Sequence, residues 1–352
     1  MRAERVLAHF DEQAGFCAEY GSPFTAHLIL RLRDDLAAGG PVAALVGDWP
    51  GNPRADVVAL RLTGALHAAA LTGRDAALAQ TYPAAQTDWS MDEVWPAARA
   101  FLQRETDWVR DFIRSAPQTN ETRRSIALLA AFLAFAREWR GPIDAYELGA
   151  SAGLNLNWDR FHYRTRTWEW GRPSPVLIDT DWQAAPPSLD VRPNIRHRAG
   201  CDLNPLDIRD PAQRLQLKSY IWADQADRMA RFDGAAELAL QHNAQVERAS
   251  ADQWIAEKLA ARAPDAAALV YHSVFLQYPP REVRAAIVDA IEQAGVRATP
   301  QAPLAWVRLE PEALTDGVEE GFRFVIDLIT WPGRERRILG YTDGHVRTVH
   351  PA

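Results

Sequence analysis

An acid and two glycines in the middle of the chain have the spacing of a ligand-binding turn. Residues 144–156 read DAYELGASAGLNL, so an apolar run ends at Glu147 and is followed by Gly149 and Gly153. Glycine lets the main chain bend tightly and lets a ligand approach it closely. A helix after the turn would add unpaired N–H groups and the positive end of its dipole. The spacing predicts a strand, a ligand-binding turn and a helix, with the Glu147 side chain pointing across the same crevice.

The pattern acid-x-Gly-x-x-x-Gly after a first parallel strand resembles the cofactor loop of the class I S-adenosylmethionine-dependent methyltransferases. The longer spelling ELGASAGLN, with QTNE at 118–121 and CDLNPLD at 201–207, resembles a bacterial family that carries only a domain-of-unknown-function label. That second likeness covers almost the whole chain and brings no known substrate. The first implies S-adenosylmethionine as cofactor and S-adenosylhomocysteine as product. Ser151 stands where the commonest methyltransferase pattern has a middle glycine.

Two acids further along the chain complete the predicted cofactor site. Asp202 follows a predicted strand over residues 195–201. In dinucleotide-binding folds an acid about 20 residues after the glycine turn accepts hydrogen bonds from the ribose hydroxyls, and the two oxygens of a carboxylate suit a diol. A predicted β insertion over residues 161–194 accounts for the larger separation here. The resemblance places Asp252 near the adenine amino group, although its position equally fits an acid in the first turn of a helix. The predicted cofactor-binding residues are Glu147, Gly149, Ala150, Ser151, Gly153, Asn155, Asp202, Leu203, Asp252 and Tyr271.

The run Ala267–His272 is the most strand-like segment after the turn. Ligands of open parallel sheets bind outside the carboxyl ends of the strands, so the carboxyl end of this predicted strand should face the methyl group of S-adenosylmethionine. His272 is predicted as a general base, because the ordinary pKa of histidine lies close to operating pH. A histidine at a strand end is also often hydrogen-bonded structure. Ser273 and Gln277 are predicted to line the pocket.

Gln118 and Asn120 precede a predicted helix over residues 121–140. Asn120 suits the cap of that helix, with Glu121 favourable in its first turn. The resemblance implies that this segment lies over the cofactor pocket, so Gln118 and Asn120 are also predicted pocket residues. The two roles are compatible.

The same turn also satisfies the Gly-x-Ser-x-Gly nucleophile elbow of α/β-hydrolases. Ser151, Asp252 and His272 follow the Ser, Asp, His order of that class. However, about 140 mostly helical residues precede the turn, whereas a hydrolase elbow follows several parallel strands, and Glu147 has no role in an elbow. A third alternative is a non-catalytic, nucleoside-binding regulatory protein with the same fold. The methyltransferase is the preferred hypothesis, with a small molecule or a protein side chain as acceptor.

Periodicity predicts two domains. Residues 1–117 show helical spacing of apolar residues and form an all-helical domain, with a helix start at Ser22-Pro23 and a long helix from Ser90 to Phe112. Residues 118–352 form an α/β domain with a doubly wound, Rossmann-like methyltransferase sheet and the β insertion. Its later strands are predicted over residues 246–249, 267–272, 304–309, 322–331, 337–341 and 346–349, with Asp343-Gly344 as the turn of a final hairpin.

Composition narrows the function further. The chain has 352 residues, 47% of them hydrophobic and 24% charged, which is ordinary for a soluble globular protein. A net charge of −7 offers no basic surface for phosphates, so nucleic acid is not expected as a partner. Two cysteines and the lack of a signal-peptide pattern predict a cytoplasmic protein. The longest apolar run, over residues 126–136, is far shorter than the ~20 residues of a membrane span. The histidines lack metal-ligand spacing, and no metal is expected.

Overall fold

The computed structural model describes residues 2–83, 88–118, 120–242, 245–317 and 323–352. The α-helices of these parts are α1 Arg2–Glu19, α2 Pro23–Ala37, α3 Pro41–Val46, α4 Val58–Leu71, α5 Ala76–Thr81, α6 Met91–Arg104, α7 Thr106–Phe112, α8 Ser125–Glu138, α9 Pro211–Ser219, α10 Ala226–His242, α11 Ala251–Ala260, α12 Arg281–Val296 and α13 Glu312–Thr315. Short 3-10 helices cover Thr122–Arg124 and Leu154–Arg160. The strands are β1 Pro142–Leu148, β2 His162–Arg164, β3 Glu169–Trp170, β4 Leu177–Asp179, β5 Asp181–Trp182, β6 Asn194–Asp202, β7 Val246–Arg248, β8 Ala267–Ser273, β9 Leu304–Pro311, β10 Phe324–Trp331, β11 Glu335–Thr342 and β12 Thr348–Val349.

The chain divides into two units, one of Met1–Thr119 with Arg209–Ala230 and the other of Asn120–Ile208 with Arg231–Ala352. The sequence suggested a boundary after residue 117 and assigned everything beyond it to the second domain. Residues 209–230 return to the first unit because they pack on α4. There the ring of Tyr220 fills the space that a side chain at Gly64 would occupy. Nδ1 of His67 is also hydrogen-bonded to the carbonyl of Ser219 at 3.1 Å.

In the described residues of the first unit, all of the regular secondary structure is helical. Helix α2 begins as predicted, since the Ser22 side chain accepts a hydrogen bond from the Thr25 N–H and Pro23 is in the first turn. The long helix expected from Ser90 is divided into α6 and α7, because Glu105 leaves helical geometry (φ −105°, ψ 30°). Ser90 is at the start of α6 but makes no capping hydrogen bond with its side chain to the residues described.

A mostly parallel seven-stranded sheet is the centre of the second unit. Its strand order is β11-β10-β9-β8-β1-β6-β7. Strand β1 pairs in parallel with β6 and β8, β6 with β7, and β8 with β9, whereas β10 is antiparallel to both β9 and β11. The prediction of an α/β sheet protein is confirmed at this level. The chain leaves β1 toward β6 on one side and later returns to β8 on the other, so the strand order reverses at the carboxyl end of β1.

Helices cover both faces of this sheet. Side chains alternate along a strand, so one face carries Leu148, Val270 and Trp306, which belong to one buried cluster with residues of α11 and α12. The opposite face carries Tyr271, whose ring contacts that of Phe132 on α8 with 5.1 Å between centroids. The two faces therefore provide separate environments at the carboxyl ends of the strands.

The residues of the predicted β insertion form small strands outside the main sheet. Strands β3, β2 and β4 make a three-stranded sheet, and β5 pairs in parallel with β12. The last predicted strand thus leaves the main sheet, although the chain does reverse at Asp343-Gly344 and a single antiparallel bridge joins Tyr341 to His350. The start of the strand predicted at residue 322 lies outside the described residues.

Candidate functional site

The predicted turn follows β1 at the point where the strand order of the sheet reverses. Such switch points are where open α/β sheets bind ligands. Gly149, Ser151 and Gly153 have φ values of +67°, +53° and +74°. These positive φ values belong to the left-handed region, which only glycine adopts readily, so Ser151 is held in a strained backbone conformation.

The helix predicted after the turn is a different structure. Leu154–Arg160 is a seven-residue 3-10 helix, interrupted at Asn157 (φ −102°, ψ 21°). The expectation of an α-helix with a positive dipole end is therefore wrong, because so short and broken a helix aligns few peptide dipoles.

The backbone N–H groups of the turn are used within the protein. Four of them donate to protein acceptors: Ala150 to the Cys201 carbonyl at 3.0 Å, Ser151 to Asp202 Oδ2 at 2.9 Å, Gly153 to the Ala150 carbonyl at 2.8 Å and Leu154 to Asn120 Oδ1 at 3.1 Å. These four groups cannot cradle an anionic ligand without breaking existing bonds. The turn thus differs from the N–H cradle that its glycines suggested.

Glycines bring neighbouring elements close to the turn. A Cβ atom at Gly149 would overlap the ring of Phe275, and one at Gly200 on β6 would lie 2.7 Å from the Cβ of Ala150. Gly149 therefore makes room for a side chain of the protein, in addition to its role in the turn.

Glu147 is the buried acid of the site. Its side chain lies at the end of β1 and is 3% exposed. Oε2 makes no hydrogen bond to any of the residues described, and the same holds for Oδ1 of Asn155 and the hydroxyl of Tyr271. Burial raises the pKa of the Glu147 carboxyl from 4.5 to about 8, while the nearby Tyr271 hydroxyl lowers it and the charge of Asp202 raises it. Buried polar atoms are usually paired, so these three are atoms of the site with capacity to bind a further polar group.

Asp202 ends β6 and faces the turn from the neighbouring strand. Its Oδ2 accepts the Ser151 N–H, and its Oδ1 accepts the Asn204 N–H at 2.8 Å. The next side chain, Leu203, is 63% exposed. The structure therefore brings Glu147, the turn and Asp202 to one edge of the sheet, as the sequence predicted.

Asp252 lies in the first turn of α11, after β7. One of its carboxylate oxygens accepts a hydrogen bond from the Ser250 hydroxyl. The Ala249 N–H donates to the Asp202 carbonyl at 3.1 Å, which joins the end of β7 to the end of β6. Asp252 thus follows the strand next to Asp202, and its predicted contact with adenine stays a prediction.

Asn120 does not cap the helix that follows it. The side chain of Glu121 accepts the Arg123 N–H at 3.0 Å and fills the capping role. Asn120 instead binds the Leu154 N–H, and the Asn155 amide donates to the Glu121 carbonyl at 3.3 Å. This segment is therefore tied to the glycine turn. Gln118 is half-buried and belongs to the first unit, and Thr119 lies outside the described residues.

His272 is fully buried and has both ring nitrogens engaged. Nδ1 is 2.6 Å from Glu310 Oε1, and Nε2 is 3.0 Å from the Trp306 indole nitrogen. An indole N–H only donates, so Nε2 is the acceptor and Nδ1 carries the proton. The neighbouring Tyr271 is paired with Glu147 across the sheet, so His272 points to the opposite face. This geometry is that of a structural histidine and argues against the predicted general base.

The other predicted pocket residues after β8 are less buried. Ser273 is half-buried at the end of the strand, and Gln277 is exposed in the loop. The predicted hydrolase triad is not assembled either, because Ser151 would need a ring nitrogen of His272 that is bonded to Glu310 or Trp306. The positive φ of Ser151 alone is compatible with a nucleophile elbow.

Three contributors to this region were missed from the sequence. Glu310 and Phe275 act at the β8 loop, and Arg198 on β6 supports the 3-10 helix by donating to the Leu156 carbonyl at 2.7 Å and to Asp159 at 2.6 Å. A signal was available for Glu310 alone, as an acid directly after the predicted strand over residues 304–309. Spacing along the chain did not reveal their partners, which lie 34 to 42 residues away.

Within the described parts of the chain, no group of three or more His, Cys, Asp or Glu residues is arranged to hold a metal ion. No helix among them combines the length and apolar character needed to cross a membrane.

The fold and the site together define an α/β protein with a glycine turn at the reversal point of its mostly parallel sheet. Residues 8–350 match the family described as "Uncharacterized protein conserved in bacteria (DUF2332)", and the chain belongs to this family. A comparison with curated proteins gave no match.

Proposed function

We propose that this protein binds S-adenosylmethionine and transfers its methyl group to a small molecule or a protein side chain. The observation that carries the proposal is the Glu147 carboxyl, which is buried beside the glycine turn with one oxygen unpaired among the described residues. The turn has already used four of its N–H groups on protein acceptors. A site rich in acceptors favours a cationic group over a phosphate.

The ammonium of the cofactor's amino-acid end fits these acceptors. An ammonium offers three N–H donors, and Glu147 Oε2 and Asn155 Oδ1 are both buried acceptors that need one. The positive charge would also favour the ionised form of Glu147 and so offset the cost of its burial. The Tyr271 hydroxyl would orient the same carboxylate from the neighbouring strand.

Asp202 and Leu203 suit the nucleoside. Each carboxylate oxygen of Asp202 accepts one backbone N–H and keeps a further lone pair for a ribose hydroxyl. The exposed Leu203 side chain offers an apolar surface for the adenine ring. The order of β7, β6, β1, β8 and β9 is the 3-2-1-4-5 order of nucleotide-binding doubly wound sheets, which supports a Rossmann-like interpretation.

When bound, S-adenosylmethionine supplies an electrophilic methyl group, so the protein's main task is to hold an acceptor in line with it. Glu147 and Asp202 would fix the two ends of the cofactor on the same edge of the sheet. His272 has no ring nitrogen to take a proton from the acceptor. The acceptor should therefore be one that reacts already deprotonated, or that loses its proton to water.

The engagement of His272 also favours a second candidate, a nucleoside-binding protein without transfer activity. Both candidates require nucleoside binding, and turnover distinguishes them.

The decisive experiment is binding. Purified protein is analysed by mass spectrometry for a co-purified nucleoside and then titrated with S-adenosylmethionine and S-adenosylhomocysteine by calorimetry. We expect binding of both, with Glu147→Ala weakening it at least tenfold. The exposed Glu257 on α11 provides a control, and Glu257→Ala should change affinity less than threefold. Absence of binding of either compound at millimolar concentration would refute both candidates.

A further inference from the structure

The loop after β8 is held by one buried carboxylate. Glu310 lies on β9 and is fully buried. Its Oε1 accepts the Phe275 N–H at 2.9 Å, and its Oε2 accepts the Leu276 N–H at 3.1 Å. His272 Nδ1 donates to the same Oε1 at 2.6 Å. Three donors thus converge on a single acid from the adjacent strand.

A carboxylate suits this position better than its amide. Ionised Glu310 offers two acceptor oxygens with several lone pairs, whereas glutamine offers one acceptor oxygen and an NH₂ group. The NH₂ group of a glutamine would point at an N–H donor of the loop or of His272. Hydrogen bonds to charged acceptors are also the stronger ones.

The loop adopts a conformation that requires such support. Val274, the residue before Phe275, has a φ of +53°. This is unfavourable for a β-branched side chain, and it persists only where surrounding contacts determine it. The Val274 N–H donates to the Leu309 carbonyl at 2.8 Å, so the loop is bonded on both sides of the strained residue.

The loop conformation places Phe275 against the glycine turn. Its ring occupies the space where a side chain at Gly149 would lie, and it also contacts the ring of His272 with 5.6 Å between centroids. Phe275 is half-buried, so the residue is partly accessible at this edge of the sheet.

We propose that Glu310 is a positioning residue that holds Phe275 against Gly149 and thereby shapes the ligand side of the glycine turn. The effect on ligand affinity rests on the proposed function, whereas the effect on the loop does not. Glu310 itself touches no ligand in this proposal and acts through Phe275.

The loop is tested without any ligand by amide hydrogen exchange at residue resolution. Glu310→Gln should speed exchange of the Phe275 and Leu276 amides at least tenfold and leave the strand amide of Val270 protected. Glu312 provides a matched control, because it lies two residues away and pairs with Arg323 at 2.8 Å instead of the loop. Glu312→Gln should leave both loop amides unchanged. Unchanged exchange in Glu310→Gln would overturn the proposal, even if the protein binds no nucleoside.

A double-mutant cycle tests whether Glu310 acts through Phe275. We expect Glu310→Gln and Phe275→Ala each to weaken S-adenosylhomocysteine binding about tenfold, and the double variant to be no weaker than Phe275→Ala alone. Additive losses, or wild-type affinity in Phe275→Ala, would overturn the proposal. Should Glu310→Gln fail to fold, Phe275→Ala alone still tests whether the half-buried Phe275 shapes the site, and wild-type affinity in that variant would overturn the proposal. If the wild-type protein binds no nucleoside, the proposed function fails and the exchange measurement alone decides on the loop.

Discussion

Replacing Glu147 by glutamine should stabilise the protein at neutral pH while impairing its site. Burial raises the pKa of the folded carboxyl to about 8, above the 4.5 of an exposed glutamate. Between these two values the folded state keeps a proton that the unfolded chain has released. The titration of Glu147 must therefore lower the free energy of unfolding of the wild type as the pH rises from 4.5 to 8. Glutamine resembles the protonated acid and does not titrate.

The size of the effect follows from the pKa difference. One pKa unit corresponds to about 1.4 kcal/mol, so the wild type should lose about 3 kcal/mol between pH 4.5 and pH 7. Glu147→Gln avoids this loss. At about 2–4 °C per kcal/mol for a unit of roughly 200 residues, the variant's Tm should exceed the wild-type Tm by about 6–12 °C at pH 7. At pH 5 the two Tm values should lie within about 3 °C of each other.

The assay is thermal unfolding of wild type and variant at several pH values between 5 and 8. The difference in Tm between wild type and Glu147→Gln isolates the titration of Glu147, because all other titrating groups are present in both proteins. Glu257 is exposed, so the Tm of Glu257→Gln should differ little from the wild-type Tm, by an amount that does not depend on pH. A Tm gap of Glu147→Gln that stays constant with pH, or a variant less stable than wild type at pH 7, would refute the reasoning.

Four further predictions concern the same region. S-adenosylhomocysteine binding at pH 7 should release close to one proton from Glu147, because the ammonium group of the ligand favours the ionised carboxylate. Calorimetry in two buffers of different ionisation enthalpy measures the number of protons released. A release of zero protons would contradict the prediction. Asp202→Ala should weaken S-adenosylhomocysteine binding about a hundredfold, because two hydrogen bonds to a charged carboxylate are lost. Asp207 lies past the end of β6, and Asp207→Ala should change the affinity less than threefold. The reverse result would show that Asp202 is wrongly assigned as the ribose-binding acid. Ser151→Ala should keep affinity within about tenfold, and a fluorophosphonate probe should not label Ser151; covalent labelling would revive the hydrolase. His272→Ala should lower the stability by about 2–4 kcal/mol, because Glu310 and an indole N–H lose a buried partner; an unchanged Tm would return His272 to the candidate bases.

Local chemistry in the sequence was enough to predict the strand and the turn of the candidate site. An apolar run, an acid and two glycines specify a strand and a tight turn through backbone preferences that act within a few residues. The same is true of the helices in residues 1–117 and of the strand that ends at Asp202. The sequence also indicated a mostly parallel sheet, since strand-like and helical segments alternate after residue 141. These features depend on neighbours along the chain.

Tertiary structure decided how the side chains of the site are used. The direction of His272 follows from the pairing of Tyr271 with Glu147, and its partners Trp306 and Glu310 lie on another strand. The residues after the turn form a 3-10 helix, which distant side chains such as Asn120 contact. No local pattern carries this information.

Long-range pairing also decided where two later segments belong. Residues 209–230 pack on α4 of the first unit, and β12 pairs with β5 instead of extending the main sheet. Their local sequences specify a helix and a strand equally well for either location. The choice depends on which partner buries their apolar side chains and completes their backbone hydrogen bonds, and that partner lies more than a hundred residues away.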